Sequence, residues 1–205
     1  MKGSLLVLGF LVLGIVSGMS GFVPDWVNAS VCARYFLYLL IALIGFEFGY
    51  GGLVDAMKNF RIEYLCLPLG TMVGTLAFTA VIGLVAGDYS LRDYMAIGSG
   101  FGYYSLSSVL IIDLRQEDVG LQLAVEMGTI ALLTNITREI LALLFAPLFR
   151  KVNRLAPVSA GGVASIDVVL PAIVRVSGKE IVPAAIIHGV VIEISVPILV
   201  TLFCS

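Results

Sequence analysis

Five apolar runs, at residues 5–19, 34–54, 64–86, 121–149 and 181–203, alternate with short charged loops. A bilayer core about 30 Å thick takes about 20 apolar residues per helix, so each run predicts one transmembrane helix. Two further segments break the pattern. Residues 94–112 are rich in Gly and Ser, and residues 157–174 hold Gly161, Gly162, Asp167 and Pro171. Gly, Ser and Pro together weaken a helix, and irregular backbone at membrane depth persists only where protein or a water-filled cavity satisfies its polar groups. Both segments are therefore expected to be discontinuous or re-entrant.

A shift of sixty positions lays one of these segments on the other without a gap. Ser99 falls on Ser159, Gly102 on Gly162, Ser105 on Ser165, Leu106 on Ile166, Val109 on Val169 and Leu110 on Leu170. The same shift carries the run at 64–86 onto 121–149, and that run onto 181–203. The unit is one span plus one broken segment. Paired Gly-interrupted segments in corresponding positions are the best sequence pointer to the midplane site of a transporter. The expected fold is an all-α integral membrane protein of about five transmembrane helices plus two Gly-rich segments, in an inverted-repeat arrangement. It forms a single membrane domain over 1–205, with two N-terminal spans in 1–61 and the repeated units in 62–205.

Composition fits this reading, with 60% hydrophobic and 13% charged residues and a mean hydropathy of +1.06, far from a soluble domain. The net charge of -2 is spread over short loops, which argues against a nucleic-acid surface. Charge speaks mainly to topology. With both broken segments re-entrant and the N-terminus cytoplasmic, Lys2, Lys58, Arg61, Arg150, Lys151, Arg154, Arg175 and Lys179 lie inside, and Arg34, Arg92 and Arg115 lie outside. Full crossing of both would give six against five, so the positive-inside rule favours re-entry. Residues 5–16 also fit a cleaved signal peptide, followed by Ser17, Gly18 and Ser20; an uncleaved first span explains them with no added assumption. Cys32, Cys66 and Cys204 lack metal or disulfide spacing and read as packing residues.

Ionisable residues inside spans are costly and default to functional candidates. Glu47 stands between Gly45 and Gly49 in the second run, and reads either as an intramembrane carboxylate or as an interfacial one. Asp167 lies in the second broken segment, opposite Ser107 in the first. It reads as a cation ligand for a proton, Na⁺ or a substrate ammonium, or as a helix N-cap for the residues from Val168 onward. Arg138 and Glu139 follow the polar stretch Thr134-Asn135-Ile136-Thr137, with Asn135 and Glu139 on one face. They read as a self-neutralising pair, or as a site in which Arg138 orients Asp167 or meets a substrate carboxylate. His188 and Glu193 in the last run complete the set; a lone His is commonly a packed, hydrogen-bonded residue, and the alternative is a proton relay. The hydroxyls of Ser105, Ser107 and Ser165 suit a permeation path, where they replace water around an ion or amine. Enzyme motifs fail: residue 97 is Ile, so no G-x-S-x-G register exists, and no phosphate loop follows.

These stretches, namely 98–108, Thr134 to Glu139, Ser159 to Asp167 and His188-Gly189, resemble in that order the transport portion of the bacterial lysine-exporter family, the LysO-type inner-membrane proteins. The resemblance covers most of the chain. It implies a secondary active exporter of L-lysine or a related cationic amino acid in a bacterial or archaeal inner membrane. Coupling would be to H⁺ or to Na⁺ held near Asp167, which matches an acidic position that matters to the family, and no cofactor is implied. Single-chain members have a further N-terminal membrane portion with another acidic residue, which this sequence is expected to lack. A separately encoded small membrane subunit, or a homo-oligomer with Glu47 standing in, would then supply it. The rival reading is a passive channel or structural subunit of a larger membrane complex.

Overall fold

The computed structural model describes residues 2–20, 35, 39, 42 and 62–205. Apart from residues 35, 39 and 42, the second apolar run, with Glu47, falls outside the described residues, as does Cys32. Among those described, secondary structure is helical and no strand occurs. The helices are α1 (Lys2–Met19), α2 (Cys66–Ala86), α3 (Leu91–Gly98), α4 (Tyr104–Val119), α5 (Leu121–Val152), α6 (Ala156–Gly161), α7 (Leu170–Ser177) and α8 (Val182–Cys204). Tighter 3₁₀ turns occupy Ile62–Leu65, Gly162–Ile166 and Lys179–Ile181.

Among the described residues, Cys66–Ala86, Leu121–Val152 and Lys179–Cys204 are long and apolar enough to cross a membrane. Residues 94–112 and 157–174 are interrupted, as expected. The first segment is α3, a bend and α4; the second is α6, the turn Gly162–Ile166 and α7. At about 1.5 Å per residue, the eight residues of α3 and of α7 span about 12 Å each, well short of a bilayer core.

Local sequence accounts for the starts and stops. Ser90 caps α3 by accepting from the Asp93 amide, while Asp93 accepts from the Ser90 backbone, a complete capping box. Proline opens α6, α7 and α8, where its missing N–H costs nothing. Gly102 (φ 97) and Gly162 (φ 60) end the first half of each broken segment in left-handed backbone. They are the two glycines that the sixty-residue shift superimposes.

The first broken segment is longer than the sequence suggested, since α4 runs through Arg115 and Asp118 to Val119. Arg115 makes this possible by reaching Asp93 on α3 at 2.9 Å in a largely buried ion pair, so the charged end of α4 is tied down. Nearby, Tyr89 donates to Glu126 at 2.6 Å, and that bond to a carboxylate pushes the phenol up to about 12.

Helix α8 is the central element, packing against α2, α3, α4, α6 and the turn Gly162–Ile166. One apolar cluster joins Phe101, Leu106, Ile111 and Met127 to Ile192, Val196 and Val200. A second joins Ala142, Val158, Val169 and Ile173 to Ala185. By contrast α2 buries little beyond Pro68, Thr71 and Gly83; its Val73, Phe78 and Leu84 point outward, as suits a lipid-facing helix. Cys204 is buried, as a packing residue would be, whereas Cys66, expected to pack as well, is exposed at the start of α2.

Candidate functional site

Where the two broken segments meet, a cavity of about 290 Å³ opens. Gly102, Tyr103, Tyr104 and Ser105 line it from the first segment, and Val163, Ala164, Ile166, Asp167 and Val168 from the second. Glu139 on α5 and Glu193 on α8 close it. Among the described residues, three carboxylates and no basic side chain therefore line one space. Glu139 is 4% exposed and Glu193 9%, while Asp167 stands open at the rim. Carboxylates gathered in a low-dielectric pocket suit a cationic ligand.

Asp167 holds its place through the following amide: the Val168 N–H donates to its carboxylate. Helix α7 starts only at Leu170, with Val169 at its N-cap and no side-chain cap, so the expected capping role is absent.

The wall of the cavity is held by α5. Asn135, 3% exposed, accepts a hydrogen bond from the Gly102 amide at 2.6 Å and donates to the Ala131 carbonyl at 2.8 Å and to Ser107 at 3.3 Å. Ser107 is itself fully buried and donates to the Tyr103 carbonyl at 2.8 Å. Arg138 points elsewhere. Its Nε donates to the Ala160 carbonyl and one terminal nitrogen to the Ser159 carbonyl, both at 3.0 Å, while the other reaches Thr75 on α2 at 3.4 Å. Adjacent helix residues do not face each other: Glu139 enters the cavity, and Arg138 lines a separate depression between α2 and α5. Among the described residues Arg138 makes no ion pair.

Ser165 in the second segment and His188 behind it, on α8, are both fully buried. His188 Nδ1 is 3.3 Å from Ser165, and its Nε2 is 3.0 Å from Thr71, which in turn meets Ser159 at 2.7 Å. Of the residues singled out from sequence, the fold thus brings Asp167, Glu139, Glu193 and Ser105 into one cavity. Asn135 and Ser107 support its wall, and Arg138, Ser165 and His188 lie outside it.

The sequence profile described as Lysine exporter LysO matches residues 8–204 of this chain. The chain belongs to the lysine exporter LysO family. It is similar to the Escherichia coli (strain K12) protein named "Lysine exporter LysO", with 28% identity over 206 residues covering 98% of this chain and 64% of that protein. It is also similar to the Haemophilus influenzae protein named "Putative lysine exporter", with 30% identity over 205 residues and 97% of each chain covered. The chain therefore spans less than two thirds of the length of the E. coli relative. No solved structure matches it.

For a member of the LysO family, the three carboxylates are the chemically informative part of the cavity. Tyr103 and Tyr104, which sequence reasoning passed over, add aromatic walls beside them. Their signal was present in the Gly98-to-Ser108 stretch, where two adjacent tyrosines follow a left-handed glycine. Thr71 and Thr75 were also missed; their mark was a row of threonines one helical turn apart, continued by Thr79, on a largely apolar span.

Proposed function

We propose that this chain is the transport unit of a secondary active exporter of L-lysine or a related cationic amino acid in a bacterial inner membrane. One observation supports this above the rest: Glu139, Asp167 and Glu193 face a single cavity, with no basic residue among the described residues that line it. Lysine brings two ammonium groups and one carboxylate, so carboxylates on the protein meet its cationic ends. The N-terminus of α4 begins at Tyr104 and Ser105 on the cavity wall, and the partial positive charge of a helix N-terminus suits the substrate carboxylate.

Exchange follows from shared occupancy. A carboxylate that binds the substrate ammonium facing the cytoplasm, and H⁺ or Na⁺ facing outward, couples export to the ion gradient without nucleotide hydrolysis. Both broken segments re-enter rather than cross, and successive span-plus-break units are inverted, which leaves the two breaks opposed at mid-membrane. A small membrane subunit supplies a further carboxylate where the chain does not act alone.

Efflux of labelled lysine from cells lacking their own exporter tests this, with the chain expressed alone, with a candidate subunit, and as Asp167→Asn. Gradient-dependent efflux that weakens in the Asn variant, most of all at low lysine, is the expected result. A stable, inserted protein that moves no lysine in either arrangement would remove the substrate assignment and leave the membrane architecture.

A further inference from the structure

Arg138 is a cation inside the bundle that the proposed exchange does not use. It lies three residues after Asn135 and one before Glu139, so about one turn of α5 presents Asn135 and Glu139 on one face and Arg138 on another. Asn135 holds the first break at Gly102, Glu139 enters the cavity, and Arg138 holds the second break. The carbonyls it grips, those of Ser159 and Ala160, belong to the last turn of α6, just before Gly162 turns the chain with its positive φ. A helix C-terminus carries partial negative charge and offers carbonyls to a cation. In discontinuous helices such carbonyl ends commonly coordinate the coupling ion. Here a guanidinium stands there instead, and its third bond, to Thr75, ties α2 to the same point. Thr71, one turn earlier on α2, meets the Ser159 hydroxyl at 2.7 Å.

We propose that Arg138 is a positioning residue, a tethered cation that caps α6 and fixes the second break against α5 and α2 without touching substrate. What it positions is the stretch from Val163 to Val168, the cavity wall that holds Asp167 opposite Glu139. Its place in the separate depression between α2 and α5 keeps its charge out of the carboxylate cavity. The consequence for export rests on the function proposed above; the capping role does not.

The test uses the full chain, with its subunit if one is needed, as wild type, Arg138→Ala and Arg138→Lys. Thermal unfolding in detergent is read first, with and without low-millimolar guanidinium. Guanidinium is expected to raise the melting temperature of Arg138→Ala and leave wild type unchanged, because the free cation refills the carbonyl cage. Arg138→Lys keeps the charge without the fork and is expected to melt between the two. In transport, Arg138→Ala is expected to lose maximal rate by about tenfold to a hundredfold, to keep the KM for lysine, and to recover rate with guanidinium. Preference for lysine over 1,5-diaminopentane, which lacks the carboxylate, is expected to stay as in wild type. A raised KM with that preference lost would make Arg138 a contact to the substrate carboxylate and overturn the proposal. So would Arg138→Lys melting with Arg138→Ala and no effect of guanidinium on either. If wild type moves no lysine, the function proposed above fails, and the melting temperatures still decide the role of Arg138.

Discussion

The carbonyl of Phe101 accepts a hydrogen bond from the amide of Val163 at 3.0 Å. The two broken segments are thus joined main chain to main chain, next to Gly102 and Gly162. Phe101 itself is fully buried and sits at φ 44, left-handed backbone that a bulky residue rarely adopts. Strain of this kind persists only where the surroundings enforce it and gathers at functional sites; here it adjoins the carboxylate cavity.

A first prediction concerns this crossing. A Cβ at Gly162 would run into the Phe101 carbonyl, and φ 60 with ψ -134 is backbone that only glycine adopts easily. Gly162→Ala is expected to destabilise by about 3 kcal/mol or more. At Gly102 the added Cβ would lie 3.2 Å from the Gly161 carbonyl, a milder conflict at φ 97, and Gly102→Ala is expected to cost about 1–2 kcal/mol. Thermal unfolding of the purified variants ranks the two.

Asn135 satisfies the Gly102 amide in the interior. Asn135→Leu has similar bulk and no acceptor, so it leaves that amide unmet at a cost of about 1–3 kcal/mol. Lower melting temperature together with faster hydrogen exchange at the Gly102 amide is the expected result; unchanged exchange there would show that the bond does not hold the bend.

The three carboxylates are expected to contribute unequally. A charge-assisted hydrogen bond to substrate is worth about 1.5–3 kcal/mol, or roughly tenfold to a hundredfold in affinity. Glu139→Gln is expected to lose the most lysine transport, since its 4% exposure leaves little water to screen it. Asp167→Asn, at the open rim, is expected to raise KM more than it lowers maximal rate. Rates measured over a range of lysine concentrations separate these effects.

The Asp93–Arg115 pair lies at the α3 and α4 ends, away from the cavity lining, with side chains 9% and 16% exposed. Removing one partner of such a pair leaves an uncompensated charge, so Arg115→Leu is expected to cost about 3–5 kcal/mol. The KM for lysine is expected to stay as in wild type in whatever fraction folds. A raised KM with normal stability would show that the pair bears on the site.

Much of this was legible in the sequence. Hydropathy located to within a few residues the three helices that, among the described residues, are long and apolar enough to cross a membrane, because twenty apolar positions in a row have few alternatives. Gly, Ser and Pro marked both breaks, and the sixty-residue shift laid Gly102 on Gly162 because both turns need positive φ. Asp167, Glu139 and Glu193 stood out as charges where charge is costly. The direction of Arg138 was not legible: its partners are main-chain carbonyls on α6, and carbonyls leave no trace in side-chain identity. Nor was the reach of α4 through its charged end, which depends on Arg115 finding Asp93 on another helix.

The central claim is that the three-carboxylate cavity selects a cationic amino acid. Counterflow of labelled lysine into proteoliposomes tests it most directly, using the chain together with any subunit that the efflux assay shows it needs. The account predicts uptake that unlabelled lysine suppresses and norleucine, which lacks the side-chain ammonium, does not, with Glu139→Gln losing exchange. Equal suppression by norleucine, or normal exchange in Glu139→Gln, would contradict it.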